Sequence, residues 1–299
     1  MLRQSKLPAS WMSRTNANRR GSASGGSPQN TSNESTTKTS SSSHSSTSAP
    51  QMDERDTLRL LAQETLAIVS RGVYSSPSGQ IIHIRQIVES SMRGTLFYHP
   101  QAFDNWENHR PAFNPIQTHF SCTERTTLQA AYEFATQTRQ LAAQTRSTPS
   151  RIGVLNFAVR CSLSTKPSAL MQHLPSQSAT KPGGGFKNGA KAQEESIARV
   201  SALYASLTTP TGLEFYKREA RSRQGPTYSD AMVYSPRVLV FNTDERILLD
   251  DPYEISLVTS PAVNAGEVRD QNRHQDEGKV ERAIARIVSF SLVLSAVKC

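Results

Sequence analysis

Residues 181–199 read KPGGGFKNGAKAQEESIAR, and this stretch says most about both the fold and the chemistry of the chain. Three consecutive glycines, Gly183–Gly185, leave the backbone without Cβ atoms, so its N–H groups can approach a phosphate or a sugar closely. The helix predicted after them adds its positive N-terminal end, which also suits an anion. Glu194 and Glu195 fall in the early turns of that helix, where burial can keep one of them protonated as a general acid.

Each part of this stretch also has an ordinary explanation. A run of glycines is usually a flexible connector, and a Glu-Glu pair in a first helical turn compensates the helix dipole. No Gly-Lys-Ser/Thr follows the glycines, and their spacing does not match GxGxxG, so the stretch is neither a P-loop nor a dinucleotide-binding turn. On these residues alone, a catalytic role and a structural role both remain open.

Strand and helix patterns alternate on both sides of the glycines, which predicts an α/β domain with a mixed or parallel sheet. Apolar spacing and turn residues define the individual elements. In chain order we expect a helix from Asp53 to Gly72, a hairpin over 73–84, strands at 95–98 and 118–122, a helix over 126–143, a buried central strand at 152–157, a helix over 190–206, strands at 231–235, 238–241 and 255–259, and a final helix over 276–288.

Composition excludes several classes of protein. No stretch approaches the roughly 18–20 apolar residues of a membrane span, so no membrane protein is expected. No apolar segment with a small-residue cleavage site follows the start, which argues against secretion. Three cysteines, Cys122, Cys161 and Cys299, are scattered without CxxC spacing. They indicate reduced thiols in an intracellular protein and no structural zinc.

The first 51 residues differ from the rest of the chain. Of residues 21–50, 17 are Ser or Thr, and six basic residues face one acidic residue over 1–50. Such a segment buries too little to offset its ordering entropy, so residues 1–51 are predicted to be a disordered basic tail. Other interpretations are a nuclear localisation or phosphorylation segment, or a mitochondrial presequence, although Pro8 interrupts a long amphipathic helix. The remaining residues are nearly balanced in charge, so direct nucleic-acid binding is expected only as weak contacts of the tail.

The combination of motifs is more specific than its parts. Gly-Gly-Gly, seven residues and then Gln-Glu-Glu resembles the signature of the poly(ADP-ribose) glycohydrolases, in particular the microbial type. VLNFA at 154–158 resembles that family's strand before the glycine loop, and SALY at 201–204 resembles the continuation of its helix. Residues 228–236 and 259–266 match two further blocks. The resemblance covers roughly residues 53–290 apart from one insert.

This resemblance implies a macrodomain, a mixed sheet between helices that binds ADP-ribose in a cleft. Glu195 would be the catalytic acid and base, and Glu194 its neighbour positioned on the ribose. Phe186 would either cover the ribose or anchor the loop by burial. The implied substrate-binding residues are Asn156, Gly183, Gly184, Gly185 and Phe186.

The implied reaction is hydrolysis of the ribose–ribose O-glycosidic bonds of poly(ADP-ribose), with release of ADP-ribose and without a metal or a cofactor. The implied partners are poly(ADP-ribose) or ADP-ribosylated proteins. We expect an intracellular monomer, nuclear or cytoplasmic, with a mitochondrial location less expected. The same resemblance leaves a second possibility, a macrodomain that binds ADP-ribose without turning it over. A nucleic-acid-associated protein that uses the basic tail is a third.

The chain departs from the family in two places. Residues 159–178 lie between the strand and the glycines, where the family has only a few residues; they are either a retained intron or mis-predicted exon edge, or a tolerated surface loop. The family also continues beyond a strand like 292–294 into a second glycine-rich loop, which residues 296–299 do not match. We therefore expect a macrodomain over 52–299 that is incomplete at its C-terminus, binds ADP-ribose poorly and hydrolyses little, or an inactive truncated gene product.

Overall fold

A computed structural model describes residues 53–103, 121–158, 181–221 and 229–261, all of which lie within one compact unit over 50–299. The predicted tail, the 159–178 insert and the predicted helix over 276–288 lie outside the described residues. Over the ranges that are described, no helix combines the length and the apolar character needed to cross a membrane.

The described residues form six α-helices and six strands. The helices are α1 (Glu54–Arg71), α2 (Arg85–Gly94), α3 (Thr127–Thr145), α4 (Gln193–Val200), α5 (Leu203–Leu207) and α6 (Pro210–Arg221). The strands are β1 (Val73–Ser75), β2 (Ile81–His83), β3 (Leu96–Tyr98), β4 (Gly153–Ala158), β5 (Met232–Asn242) and β6 (Leu248–Pro261).

Four strands form a mixed sheet in the order β3-β5-β6-β4. β4 runs parallel to β6, with Asn156 opposite Thr259, whereas β3 and β6 both run antiparallel to β5. Tyr98, the last residue of β3, lies opposite Met232, the first residue of β5. This register brings the last residues of β3, β4 and β6 and the first residues of β5 to the same end of the sheet. We call this end of the sheet, formed by the strand termini, the carboxyl edge.

Helices pack on both faces of this sheet. Successive side chains of β5 point to opposite faces, as a pleated strand requires. Val238 and Val240 enter a cluster with residues of α3, α4, α5 and α6, whereas Leu239 and Phe241 enter a second cluster with residues of α1 and α2. Fully burying one such side chain stabilises the fold by about 1.5–3 kcal/mol. The predicted α/β class, with a mixed sheet between helices, is confirmed.

Local patterns predicted the first half of the chain well. The helix expected between Asp53 and Gly72 is α1, which buries Leu61, Ala62, Thr65 and Ile68 on one face. The expected hairpin is the antiparallel β1–β2 pair, and β3 and α3 fall where strand and helix were expected. The strand predicted at 118–122 lies mostly outside the described residues, and its last two residues, Ser121 and Cys122, are not in a strand.

The predicted helix over 190–206 is wrong, because the structure divides it into α4 and α5. The break occurs at Ser201 and Ala202, where the backbone pairs with β5. Ser201 forms an isolated antiparallel bridge with Val240, and the Ala202 N–H donates to the Leu239 carbonyl at 2.9 Å. Pairing with a strand requires extended backbone, which ends the helix.

Four other elements also differ from the prediction. The two strands expected at 231–235 and 238–241 are the single strand β5, which continues through a register shift at Pro236 and Arg237. β4, expected to be central, lies at one end of the four-strand order among the described strands. Helices α2 and α6 were not predicted.

Candidate active site

The triglycine turn and the two glutamates meet at the amino end of α4. The Gly183 N–H donates to Glu194 Oε1 at 2.8 Å, and the Gly185 N–H donates to Glu195 Oε1 at 3.1 Å. Both carboxyl groups are buried, with Glu194 1% exposed and Glu195 5% exposed. The two features singled out in the sequence are therefore in direct contact.

Only glycine fits at the centre of this turn. Gly183 and Gly184 have φ angles of +66° and +53°, a region that residues with side chains rarely adopt. A Cβ atom on Gly184 would lie 2.4 Å from Glu195 Oε1, and one on Gly183 would lie 2.9 Å from the Phe186 ring. The glycines thus allow the backbone to approach the carboxyl groups closely.

The glycine N–H groups are not free for a ligand, contrary to the expectation that they approach a phosphate or sugar. Gly183 and Gly185 donate to the two glutamates, and the Gly184 N–H donates to the Lys181 carbonyl at 3.0 Å. The turn therefore uses its donors to hold the two carboxyl groups and to close itself.

Glu194 is held from two sides. The Tyr216 hydroxyl, from α6, donates to the same Oε1 atom at 2.6 Å. Burial raises the pKa of Glu194 to about 7, outweighing the opposite effect of the hydrogen bonds from Tyr216 and Gly183, and the neighbouring Glu195 adds to the rise. Burial and the Glu194 charge likewise raise the pKa of Tyr216 well above its ordinary value.

Tyr216 was missed in the sequence because α6 was not predicted. A signal was present: Gly212, Phe215, Tyr216 and Glu219 are buried at the three- and four-residue spacing of one helix face, and Pro210 occupies the first helical position.

Glu195 presents an unused oxygen. Its Oε1 accepts the Gly185 N–H, whereas its Oε2 is buried and has no hydrogen-bond partner among the described residues. An unsatisfied buried polar atom costs about 1–3 kcal/mol, and such atoms are rare in folded proteins. Glu195 is therefore arranged to give or take a proton, or to hold a polar group, at Oε2.

Two further buried oxygens at the carboxyl edge also lack partners within the described ranges. They are Asn156 Oδ1, near the end of β4, and Ser260 Oγ, near the end of β6. The Asn156 amide nitrogen donates to Thr259 Oγ1 at 3.0 Å, which ties this side chain to the end of β6. A fourth such atom, Ser235 Oγ, lies on β5. Most of these oxygens therefore lie in α4 or near the strand ends.

Gln193, the first residue of α4, attaches that helix to β4. Its amide nitrogen donates to the Leu155 carbonyl at 3.1 Å and to Thr127 Oγ1 at 3.0 Å, and its Oε1 accepts the Phe157 N–H at 2.9 Å. The side chain thus bonds β4 as a neighbouring strand would. Because Asn156 lies between the two bonded residues, Gln193 fixes the acid pair relative to Asn156. From the sequence, Gln193 had no expected role beyond its place in the motif.

Arg199, one helical turn after Glu195, closes a ring of hydrogen bonds. Its buried guanidinium donates to the Ala190 carbonyl and, at 3.1 Å, to Ser196 Oγ. The Ala190 N–H donates to the Gly185 carbonyl, and Gly185 in turn donates to Glu195. Burial lowers the pKa of Arg199, while the Glu195 charge opposes that change. The loop between the glycines and α4 is thus tied to both ends of that helix.

Phe186 serves as an anchor. Its side chain is 1% exposed and packs with Ala62 and Ala198, and its ring centroid lies 5.0 Å from that of Tyr204. Of the two roles considered for Phe186, the packing supports burial as the means of fixing the loop. Helix α1 supports the same loop, since Arg55 Nε donates to the Asn188 carbonyl at 3.0 Å.

No group of three or more His, Cys, Asp or Glu side chains that could hold a metal ion occurs in the described part of the chain. His83 is exposed on β2 and Cys122 is exposed before α3.

Comparison with known proteins identifies the family. Residues 62–243 match the family model described as microbial-type PARG, catalytic domain. The crystal structure of poly(ADP-ribose) glycohydrolase (PARG) from Thermomonospora curvata is 35% identical, covering 82% of this chain and 76% of that one with a TM-score of 0.63. Its complex with the inhibitor ADP-HPD gives 33% identity, 82% and 75% coverage and a TM-score of 0.60.

A second organism gives the same result. The crystal structure of the Deinococcus radiodurans PARG in complex with ADP-ribose is 30% identical, covers 70% of this chain and 71% of that one, and has a TM-score of 0.53. No curated protein matches the chain significantly. The resemblance stated from the sequence is confirmed, and the chain belongs to the microbial-type poly(ADP-ribose) glycohydrolase family of glycohydrolase enzymes.

Proposed function

We propose that this chain hydrolyses the ribose–ribose O-glycosidic bonds of poly(ADP-ribose) and releases ADP-ribose, with Glu195 as the catalytic residue. The observation that carries the proposal is the state of the Glu195 carboxyl group. One oxygen is fixed by the Gly185 N–H, and the other is buried without a partner among the described residues. A positioned carboxyl group with one unused oxygen is what general acid–base catalysis needs.

The reaction proceeds in two steps. Protonated Glu195 Oε2 donates its proton to the bridging oxygen, the bond from that oxygen to the anomeric carbon breaks, and the bonding electrons leave with the oxygen. The ribose becomes an oxocarbenium-like cation, which the substrate's own diphosphate stabilises. The Glu195 carboxylate then removes a proton from water as the water oxygen bonds to the anomeric carbon, which regenerates the acid.

This scheme differs from the usual glycosidase plan, in which two carboxyl groups flank the scissile bond. Here the two carboxyl groups are consecutive in the chain, and the glycine turn holds both. Among the described residues, the hydrogen bonds to Glu194 both fall on its Oε1, so we assign its Oε2 to a ribose hydroxyl. Glu194 therefore positions the sugar while Glu195 performs the proton transfers.

The remaining substrate contacts follow the same geometry. Asn156 Oδ1 is buried and unpartnered within the described residues, so we assign it a hydroxyl of the distal ribose. Gly183, Gly184 and Gly185 give the distal ribose and the diphosphate close access to the carboxyl groups, and Phe186 keeps that turn in place. These assignments extend to ADP-ribosylated proteins as partners that carry the polymer, because the terminal ADP-ribose unit of that polymer is the same.

The test uses the purified 299-residue chain with poly(ADP-ribose), measuring released ADP-ribose by chromatography. We expect Glu195→Gln to lower the rate by about 10²–10⁴-fold, the usual contribution of a general acid or base. Glu64→Gln, which makes the same change on an exposed position of α1, should not alter the rate. An unchanged rate in Glu195→Gln would remove the catalytic assignment.

Calorimetric titration with ADP-ribose measures binding, and comparison with the release assay distinguishes an enzyme from a protein that only binds ADP-ribose. Binding without release would identify a non-catalytic ADP-ribose-binding macrodomain. The expectation of slow turnover depends on residues 159–178 and 296–299, which lie outside the described ranges, so it stays a prediction that the same rate measurement tests.

A further inference from the structure

A cavity of about 660 Å³ lies beside the carboxyl end of α6. Its basic lining comes from Lys217, Arg218 and Arg221 of that helix. Phe97 and His99, from β3 and the residue after it, form another part of the wall. The proposed reaction uses none of these residues.

The charge of this cavity is unbalanced. Within the described ranges, Lys217, Arg218 and Arg221 form no ion pair with an acidic side chain inside 4.0 Å, and Glu214 is the acidic residue of the lining. Glu219, also on α6, is buried and accepts hydrogen bonds from the Ser229 N–H and hydroxyl. Three cations held in one concave surface repel each other, and a polyanion relieves that repulsion. Two arginines among them favour phosphate oxygens, which guanidinium groups bind in a bidentate manner.

The aromatic part of the wall adds a second kind of contact. The rings of Phe97 and His99 lie 4.6 Å apart between centroids, with an edge-to-face angle of 65°. Aromatic faces stack on nucleic bases with about 1–3 kcal/mol per base. Cations for a diphosphate next to an aromatic platform for a base fit a nucleoside diphosphate better than they fit an inorganic anion.

The cavity lies at the same side of the sheet as the acid pair. His99 follows the end of β3 and Ser229 precedes β5, which places both at the carboxyl edge where β4 ends beyond Asn156. Helix α6 connects the two sites, because Tyr216 bonds Glu194 from its buried face and the next residue, Lys217, lines the cavity. Tyr216 and Arg221 are five positions apart in the helix, about 7–8 Å along the axis.

We infer that this basic cavity binds the diphosphate of the ADP-ribose unit that adjoins the one held by the acid pair. The inference rests on the proposed function, since it takes poly(ADP-ribose) as the ligand. It assigns the cavity to polymer recognition: a single ADP-ribose fills the acid-pair site alone, whereas a polymer occupies both sites.

The experiment measures the affinity of the full chain for two ligands, end-labelled poly(ADP-ribose) of about ten units and single ADP-ribose. Fluorescence anisotropy and calorimetry give the two values, and Glu195→Gln in every chain prevents cleavage during the titration. Replacing Arg218 and Arg221 together by Gln should weaken polymer binding about tenfold or more and lower the slope of log affinity against log salt by about 1–2. Binding of single ADP-ribose should not change.

Arg71→Gln is the matched control. Arg71 is an exposed arginine in the last turn of α1, as Arg221 is in α6, so this change removes the same helix-dipole interaction away from the cavity. It should leave both affinities unaltered. Circular dichroism confirms that each variant is folded.

Three results would overturn the inference: unchanged polymer affinity in the double variant, equal losses for polymer and single ADP-ribose, or equal affinity for a DNA oligonucleotide of the same charge. The proposed function fails separately, if the parent chain does not bind single ADP-ribose. Polymer binding that still depends on Arg218 and Arg221 would in that case support the cavity as a polymer site.

Discussion

Gly184 and Glu195 are packed so closely that a Cβ atom on the glycine would lie 2.4 Å from the carboxyl oxygen Oε1. Gly184→Ala must therefore displace the Glu195 side chain or open the turn. We expect kcat/KM for poly(ADP-ribose) to fall by at least about 10²-fold, because misplacement of a catalytic group by about 1 Å has that effect. Steady-state release of ADP-ribose measures the change.

Gly79→Ala is the control for backbone strain. Gly79 has a φ of +85°, and nothing lies within 4 Å of a Cβ atom built there. Both variants carry the cost of a positive φ, and only Gly184→Ala meets the carboxyl group. Equal values of kcat/KM in the two variants would show that the close contact between Gly184 and Glu195 is not required for catalysis.

Tyr216→Phe tests the support of Glu194. The Tyr216 hydroxyl lowers the pKa of Glu194, so its removal should raise that pKa further above its present value of about 7. If Glu194 acts as a carboxylate on the ribose, the acidic limb of the kcat/KM profile should move to higher pH. Tyr253→Phe, which removes a buried hydroxyl bonded to the Leu128 carbonyl, should leave the profile in place. Coincident profiles for Tyr216→Phe and the parent chain would contradict the role.

The raised pKa of Glu194 also predicts how stability depends on pH. Glu194 binds its proton more tightly in the folded state, with a pKa of about 7 against an ordinary 4.5. Its favourable contribution is complete below about pH 4.5, is lost as pH rises through 7 and does not change further above that. At about 1.36 kcal/mol per pKa unit, the loss is on the order of 3 kcal/mol.

Glu194→Gln cannot ionise, so it should escape this loss. Urea unfolding at about pH 5 and about pH 8, on either side of the folded-state pKa, should show the stability of the variant rising relative to the parent chain at the higher pH. A stability difference that is the same at both pH values would show that Glu194 does not titrate between them.

Gln193→Met tests the attachment of α4 to β4. The change keeps the length of the side chain and removes its bonds to Leu155, Phe157 and Thr127. We expect a loss of stability of about 1–3 kcal/mol, together with a lower kcat, because the acid pair shifts relative to Asn156. Gln63→Met, at an exposed position of α1, is the control. Normal activity in a destabilised Gln193→Met chain would reduce Gln193 to a structural role.

Local sequence patterns correctly predicted those helices and strands whose ends depend on residues close to them in the chain. The helix that ends at Gly72 and the hairpin that follows depend on spacing and turn residues that lie within a few positions of each other. The family signature went further, because it indicated that the triglycine turn and Glu195 belong to one site. The contact between Gly185 and Glu195 is consistent with that indication.

The features that the sequence did not predict depend on contacts between residues that are far apart in the chain. Helix 190–206 breaks at Ser201 because of a bridge to Val240, which no local pattern reveals. Tyr216 reaches Glu194 from 22 residues further on, and it lies on α6, a helix that local patterns did not predict. The glycine N–H groups were assigned to a ligand because their protein partners could not be known before the carboxyl groups were placed.

The support that α1 gives to the glycine loop has a consequence for how the enzyme is made. Arg55 bonds Asn188 across 133 positions, and Thr65 bonds the Arg199 carbonyl across 134. A ribosome must therefore synthesise most of the domain before the opening helix finds the segment it braces, and such long closures form slowly. A fragment that starts after α1 would contain the whole glycine–glutamate signature and still lack the support that shapes it.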